Sequence, residues 1–221
     1  MVRTTPKIEW ILTVALLARV CCAPGTSAEQ QPNVQQIFRQ LQSEETSGNA
    51  EILLMKLGRD DPRARQFLAL HLPAMIATDP RATTPEAYEK HDTLSATWCN
   101  AVELAAELKI AEAAPALAKW VGLSKDPSMS LGSGELFQHP AAIALVKIGD
   151  PSVPALTSVL NEGAEYQRSS AADALIEINS AKSKAVLRKY ISEGHDRKLA
   201  QDIQRSLEAI DRNNPLLSSP D

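Results

Sequence analysis

The chain has 221 residues, with 23 Lys and Arg against 27 Asp and Glu, so its formal net charge at pH 7 is −4. An acidic protein is not expected to bind nucleic acid broadly, because that affinity comes largely from neutralising phosphates. Aromatic residues make up only 4% of the chain, and alanine recurs at the apolar positions of its amphipathic segments. This composition predicts a thin core between helices that approach each other closely.

Residues 1–28 have the form of a secretory signal peptide. Arg3 and Lys7 precede an apolar run from Trp10 to Ala18, and small residues lead to a cleavage site after Ala28. The run ends at Arg19 and is shorter than the roughly 20 residues that span a bilayer. We therefore expect an exported protein, periplasmic or secreted, with no integral membrane span after cleavage. The alternatives are a buried first helix and an uncleaved anchor.

Cleavage after Ala28 would change the cysteine content and the charge. Cys21 and Cys22 raise the question of a lipid anchor, but the preceding Ala18-Arg19-Val20 does not resemble the small-residue lipobox, so we do not expect lipidation. Cys99 would be the one remaining cysteine, which excludes an intrachain disulfide. We expect it to be buried, as unpaired cysteines usually are. The removed segment holds three basic residues and one acidic residue, which leaves a net charge of −6.

The remaining residues 29–211 are predicted to form one helical domain. Asn33, with Gln36 three residues on, indicates the start of a first helix. A second segment, Asn49 to Leu57, is followed by Asp61-Pro62, the N-cap and first residue of another helix. Residues 212–221 are expected to be a flexible tail.

A helix stop and a helix start lie within the nine residues from Ile148 to Leu156. Gly149 can take the left-handed conformation that closes a helix. Asp150 is then predicted to be the N-cap of the next helix and Pro151 its first residue. The apolar residues of the first helix show the i, i+3, i+4, i+7 spacing of one helix face: Ala141, Ala144, Leu145 and Ile148.

The same apolar pattern recurs along the chain. It returns 30 residues later at Ala171, Ala174, Leu175 and Ile178, and a further 32 residues on at Ile203, Leu207 and Ile210. It also occurs 40 residues earlier, at Ala101, Leu104, Ala105 and Leu108. A fixed spacing of this kind predicts stacked repeats, regular over about residues 101–211.

The phrase IGDPSVPAL at 148–156, followed by Gln167-Arg168 and AADAL at 171–175, resembles the HEAT-like repeat family. The resemblance implies an all-α fold: a right-handed alpha-solenoid of stacked antiparallel helix pairs. It also implies a scaffold that binds another protein, with the second helix of each pair on the concave side. Charged residues on those helices are then candidates for partner binding: Glu103, Glu107, Lys147, Arg168, Asp173 and Glu177.

Residues 122–134, GLSKDPSMSLGSG, interrupt the repeat and are rich in loop formers. Insertions of this kind commonly lie at one edge of a solenoid. Met129 and Leu131 are candidate partner-binding residues within it. The alternative is that the loop folds back on its own helices.

No pattern typical of catalysis or of metal binding is present. The four histidines lie far apart in the sequence, without the His-Glu-x-x-His spacing that places two ligands on one helix face. His71 lies within an apolar segment, where we expect a buried or partly buried imidazole bonded to a neighbour. Gly132-Ser133-Gly134 lacks the glycine spacing and the following lysine of a phosphate loop. We therefore expect no enzymatic activity, no cofactor and no bound metal.

The sequence thus predicts an exported, non-enzymatic scaffold that binds a protein partner through its concave face. Two alternatives remain open. One is an enzyme of the kind found among HEAT-like bilin lyases, and the other is an envelope protein that binds a small molecule or a metal.

Overall fold

The computed structural model describes residues 33–81, 94–124, 139–194 and 196–213. These ranges contain ten α-helices and no strand, and Arg81 and Leu94 form one isolated bridge. The helices are α1 (Val34–Leu41), α2 (Ser47–Asp60), α3 (Pro62–Ile76), α4 (Ala96–Glu107), α5 (Ala114–Ala118), α6 (Pro140–Ile148), α7 (Val153–Glu162), α8 (Glu165–Ile178), α9 (Ala181–Glu193) and α10 (Arg197–Asn213). The predicted all-α class is confirmed.

The helices pack in two rows. In the even-numbered row, α2 contacts α4, α4 contacts α6, α6 contacts α8, and α8 contacts α10. In the odd-numbered row, α3 contacts α5, α5 contacts α7, and α7 contacts α9. Neighbours in sequence, such as α2 and α3 or α8 and α9, join the two rows, and α1 packs on α2. The core therefore lies between the rows.

Two of the predicted helix starts are confirmed by their capping hydrogen bonds. The Asn33 side chain accepts a hydrogen bond from the Gln35 amide, and the Asp61 side chain accepts one from the Arg63 amide at 2.8 Å. Pro62 is the first residue of α3, where a missing N–H costs nothing. Local sequence therefore determines where α1 and α3 begin.

The predicted stop and start at Ile148 to Leu156 is confirmed in outline and wrong in detail. Gly149 has a φ of 81°, as expected of a glycine, but its ψ of −141° lies outside the left-handed helical region. Asp150 is not an N-cap: it begins a 3-10 turn that ends at Ser152, and α7 starts at Val153. The fully buried Ser152 hydroxyl lies 2.8 Å from the Leu145 carbonyl oxygen and 2.6 Å from that of Gly149. The hydroxyl has one proton, so it donates to one of these two carbonyls, and either bond ties Ser152 to the end of α6 and favours the tight turn.

The repeated apolar residues form the core. The buried members are Ala101, Leu104, Ala105, Leu108, Ala141, Ala144, Leu145, Ile148, Ala171, Ala174, Leu175, Ile203 and Leu207. Ile178 and Ile210, which end their sets, are half-buried. Helical spacing therefore identified the buried face of four even-numbered helices.

The end of α3 is fixed by two tryptophans. The indole nitrogens of Trp98 and Trp120 both donate to the Ile76 carbonyl, at 3.0 and 3.1 Å. Trp98 lies on α4 and Trp120 follows α5, so one carbonyl ties three elements together. The last carbonyls of a helix have no partner within it, and these bonds satisfy one of them.

The last described helix is longer than the domain boundary predicted from the sequence. It continues to Asn213, two residues beyond residue 211. Residues 1–28 and 214–221, and most of the predicted insertion (125–134), lie outside the described residues.

Candidate interaction surface

Six of the eight predicted partner-binding residues are described, and all six lie on the even-numbered row. Glu103 and Glu107 are on α4, Lys147 is on α6, and Arg168, Asp173 and Glu177 are on α8. Met129 and Leu131 lie outside the described residues. The sequence therefore placed the charged candidates on one row of adjacent helices.

Glu107 connects three helices of this row. Its carboxylate lies 2.5 Å from Lys147 Nζ on α6 and 3.5 Å from an Arg59 guanidinium nitrogen on α2. The hydrogen bond from Lys147 and its positive charge hold the Glu107 pKa below its usual value, with a smaller contribution from Arg59. The lysine and arginine side chains remain about half exposed, so each pair is worth only about 0.2–1 kcal/mol.

Negative charge concentrates beside this network. Glu103 is exposed, and it faces the half-buried Glu51 of α2 closely enough to influence its titration. Burial raises the Glu51 pKa, and the Glu103 carboxylate raises it further. A cationic group placed between the two carboxylates would oppose their mutual repulsion.

Asp173 and Glu177 lie one turn apart on α8 and are both exposed. The surrounding protein displaces enough water from the Asp173 carboxyl to raise its pKa. The nearby His139 opposes this rise, and Asp202 on α10 adds to it. Acidic residues of α8 and α10 therefore lie close to one another on the even-numbered row.

Arg168 is also held by contacts within the protein. Its guanidinium donates to the Gly163 carbonyl at 3.3 Å and to the Asp196 carboxylate at 3.2 Å. Asp196 also accepts hydrogen bonds from the amides of Lys198 and Leu199 in the first turn of α10. The Leu199 amide is the main cause of a lowered Asp196 pKa, and Arg168 contributes to it. Arg168 therefore joins α8 to the start of α10.

One histidine, His71, differs from the burial that the sequence predicted for it. His71 is exposed rather than buried, and its ring lies against Phe67 and Phe38, at centroid distances of 4.2 and 5.8 Å. The His71 imidazole packs against two aromatic rings while its exposed nitrogens stay hydrated. His139 directly precedes α6, as predicted, and its buried Nδ1 has no hydrogen-bond partner among the described residues. His91 and His195 lie outside the described residues.

Within the described ranges, no three His, Cys, Asp or Glu side chains lie close enough to hold a metal ion. Cys99 is half-buried and packs against the core, so the prediction of burial holds in part.

Sequence reasoning missed several exposed apolar side chains. Ile52 and Leu53 on α2 are 66% and 44% exposed, and Leu70 on α3 is 73% exposed. Tyr166 on α8 is 44% exposed, and its ring lies against Gly122. Residues 52 and 53 fall between the core positions 50 and 54 of α2, so the helical period could have shown that they face away from the core.

Sequence reasoning also missed a groove beside α10, which we call the terminal groove. Its volume is about 720 Å³. It is lined by Ile191, Gly194, Arg197, Ala200, Gln201, Gln204 and Arg205. The five α10 residues are spaced i, i+3, i+4, i+7, i+8, which places them on one helix face. That spacing was readable in the sequence, but the groove itself depends on how α9 and α10 pack.

Among the described helices, none alone is long and apolar enough to cross a membrane. The segments Pro140–Ile148 and Asp150–Glu162 reach that length and composition only together, and they meet at an angle of 117°. No protein-family model, no curated protein and no solved structure matches this chain.

Proposed function

We propose that this protein is an exported HEAT-like solenoid that serves as a non-enzymatic scaffold and binds another protein through its even-numbered helices. The observation that carries the proposal is the unbroken succession of contacts from α2 through α4, α6 and α8 to α10. Helices stacked in this way present one extended surface, which is how repeat proteins commonly bind their partners. A right-handed, concave arrangement of this row belongs to the same proposal.

The charges on this row favour a partner with basic groups. Glu103, Asp173 and Glu177 are exposed, whereas Glu107 is neutralised by Lys147 and Arg59. Complementary charge across an interface speeds association and suppresses wrong partners. The exposed Ile52 and Leu53 on α2 would add apolar contact area at one end of the row.

Affinity capture with paired charge reversals tests this surface. The variant Glu103→Lys/Glu177→Lys changes two exposed carboxylates of the even-numbered row. The control Glu112→Lys/Glu162→Lys makes the same change in charge at exposed positions before α5 and at the end of α7. We expect the first variant to lose at least tenfold in partner enrichment and the control to retain it. Equal enrichment by both variants, or none by the unmodified protein, contradicts the proposal.

Export is the second part of the proposal, and the form of residues 1–28 supports it. Cell fractionation would find the protein in the periplasm or outside the cell, and N-terminal sequencing of that material would begin at Glu29. A protein that starts at Met1 and stays in the cytoplasm would refute this part without affecting the binding surface.

A further inference from the structure

The outward-facing side of α3 carries no charged residue over about three helical turns. No Asp, Glu, Lys or Arg occurs between Arg65 and Asp79. Within this stretch the Leu70 side chain is 73% exposed, the largest exposed fraction of any large apolar side chain among the described residues. We call the residues around it the α3 face: Gln66, Leu70 and Ala74 are exposed, and Phe67, Pro73 and Ala77 are half-buried.

The α3 face is separate from the side of the helix that packs in the core. Ala64, Leu68, Leu72 and Ile76 are buried, and their helical positions lie opposite Leu70. A surface helix normally has charged or polar residues on its outer side, whereas a helix that is apolar all round is typical of a buried one. The α3 face therefore has the character of a surface that another element covers.

Charged residues flank the α3 face at both ends. Arg63 lies in the first turn of α3, is exposed and forms no ion pair with a described residue. The helix dipole disfavours a cation in the first turn and favours one near the last turn. Asp79 follows the end of α3 and pairs with the nearby Arg81 at 3.6 Å, the two side chains being 62% and 68% exposed. So exposed a pair contributes little, and Asp79 remains available to a second cation.

We propose that two copies of this chain associate through the α3 face, with the two α3 helices antiparallel and Leu70 of one copy against Leu70 of the other. Arg63 lies seven residues before Leu70 and Ala77 seven after it, about 10 Å along the helix in each direction. The antiparallel arrangement therefore places Arg63 of each copy beside the end of α3 in the other. There Asp79 and the last carbonyls of the helix attract it.

Charge complementarity selects this occupant and this orientation. The uncharged centre of the face can meet itself without burying a charge, and the two flanking charges are opposite in sign. A parallel arrangement would instead bring Arg63 against Arg63 and Asp79 against Asp79. The antiparallel contact is the same patch on both copies, so it is complete as a dimer.

The dimer does not depend on the proposed scaffold function. Because α3 belongs to the odd-numbered row, the contact leaves the even-numbered row of each copy free. If that row binds a partner, the dimer presents it twice and gains avidity for a partner with two sites.

Sedimentation equilibrium of the purified protein tests the association. One helix pair is smaller than a standard interface of about 1,600 Å², so we expect a reversible dimer with a dissociation constant in the micromolar range. Leu70→Ser should raise that constant at least tenfold. Leu53→Ser is the matched control, because Leu53 is an exposed leucine on α2, and it should change the constant less than twofold. A protein that stays monomeric, or a dimer that loses no more from Leu70→Ser than from the control, would overturn the proposal, because a different occupant would then cover the face.

A mixing experiment tests the orientation. Arg63→Asp alone sets two carboxylates against each other in the dimer, and Asp79→Arg alone sets two guanidinium groups against each other, so each variant should dimerise at least fivefold more weakly. In an equimolar mixture the heterodimer pairs Asp with Arg at both ends, and its affinity should exceed that of either variant alone at least fivefold. Circular dichroism checks that both variants keep their helices. A mixture no tighter than the separate variants would refute the antiparallel contact.

Discussion

Replacing Asp196 with alanine is expected to destabilise the protein by about 2 kcal/mol, because one carboxylate performs two tasks. One of its oxygens accepts hydrogen bonds from the Lys198 and Leu199 amides, both at 3.1 Å. Its other oxygen accepts from the Arg168 guanidinium at 3.2 Å. The substitution thus removes the cap of α10 and the partner of Arg168 together.

The magnitude follows from the two losses. A lost N-cap costs about 1 kcal/mol. The Arg168 and Asp196 side chains are 29% and 25% exposed, so their pair is worth more than an exposed pair at about 0.2–1 kcal/mol and less than the roughly 3–5 kcal/mol for breaking a buried one. We take about 1 kcal/mol for this contact, near the surface end of that range.

Asp196→Asn separates the two contributions, because asparagine keeps a cap acceptor and loses the charge. We expect it to cost about 1 kcal/mol, since only the ionic contribution to the Arg168 contact is weakened. Asp202→Ala on the same helix is the control, because Asp202 and its partner Arg205 are 47% and 76% exposed. That variant should change the unfolding free energy by less than about 0.5 kcal/mol.

Urea unfolding at pH 7, followed by circular dichroism, measures these differences. A smaller cost for Asp196→Ala than for the Asp202→Ala control would contradict both roles of the Asp196 carboxylate. Equal costs for Asp196→Asn and Asp196→Ala would contradict their separation, because the cap alone would then contribute nothing.

The contacts of Asp196 also make the free energy of unfolding depend on pH. The pKa of Asp196 in the folded protein lies below its ordinary value of 3.8, so the unfolded chain takes up this proton more readily than the folded one. The stabilisation is therefore complete above the unfolded pKa and is lost as the pH falls through the folded pKa. The free-energy difference between the unmodified protein and Asp196→Asn should be constant near pH 7 and shrink below about pH 4. A difference that stays the same down to pH 2 would contradict this.

Two further predictions concern helix ends. Trp98→Phe or Trp120→Phe alone leaves the Ile76 carbonyl with one donor, whereas the double variant leaves it with none. The double variant should therefore lower the unfolding free energy by about 1 kcal/mol more than the sum of the two single variants. Strict additivity would contradict the shared acceptor. Gly163→Ala should lower the unfolding free energy by about 1–3 kcal/mol, because the added Cβ would lie 2.6 Å from a backbone carbonyl oxygen. Gly48→Ala is the control, because no atom lies within 4 Å of its new Cβ. In calorimetry its thermal unfolding midpoint should stay level or rise, and a fall equal to that of Gly163→Ala would contradict the steric explanation.

Much of the helical framework could be predicted from the sequence. The starts of α1 and α3 at Asn33 and Asp61 were predicted because capping involves residues two or three apart. The buried faces of α4, α6, α8 and α10 were predicted because helical period alone places their apolar residues on one side. The start of α7 was missed, since the Ser152 hydroxyl reaches back seven residues to the Leu145 carbonyl and overrides the local Asp-Pro signal.

For the candidate interaction surface, less could be predicted from the sequence than for the helices. The sequence placed six charged residues on the even-numbered helices, but it did not reveal which of them remain exposed. Glu107 meets Lys147 across 40 residues of chain, and Arg168 meets Asp196 across 28. Those pairings depend on how far neighbouring helices are offset along their axes, which no short-range pattern encodes.

The sequence by itself therefore determined the helical class and the buried face of each repeat, because hydrophobic periodicity and capping act over one or two turns. Tertiary structure decided which charges neutralise each other and formed the terminal groove between α9 and α10. The physical reason is that these features arise from contacts between helices, whose geometry is set by the whole core at once.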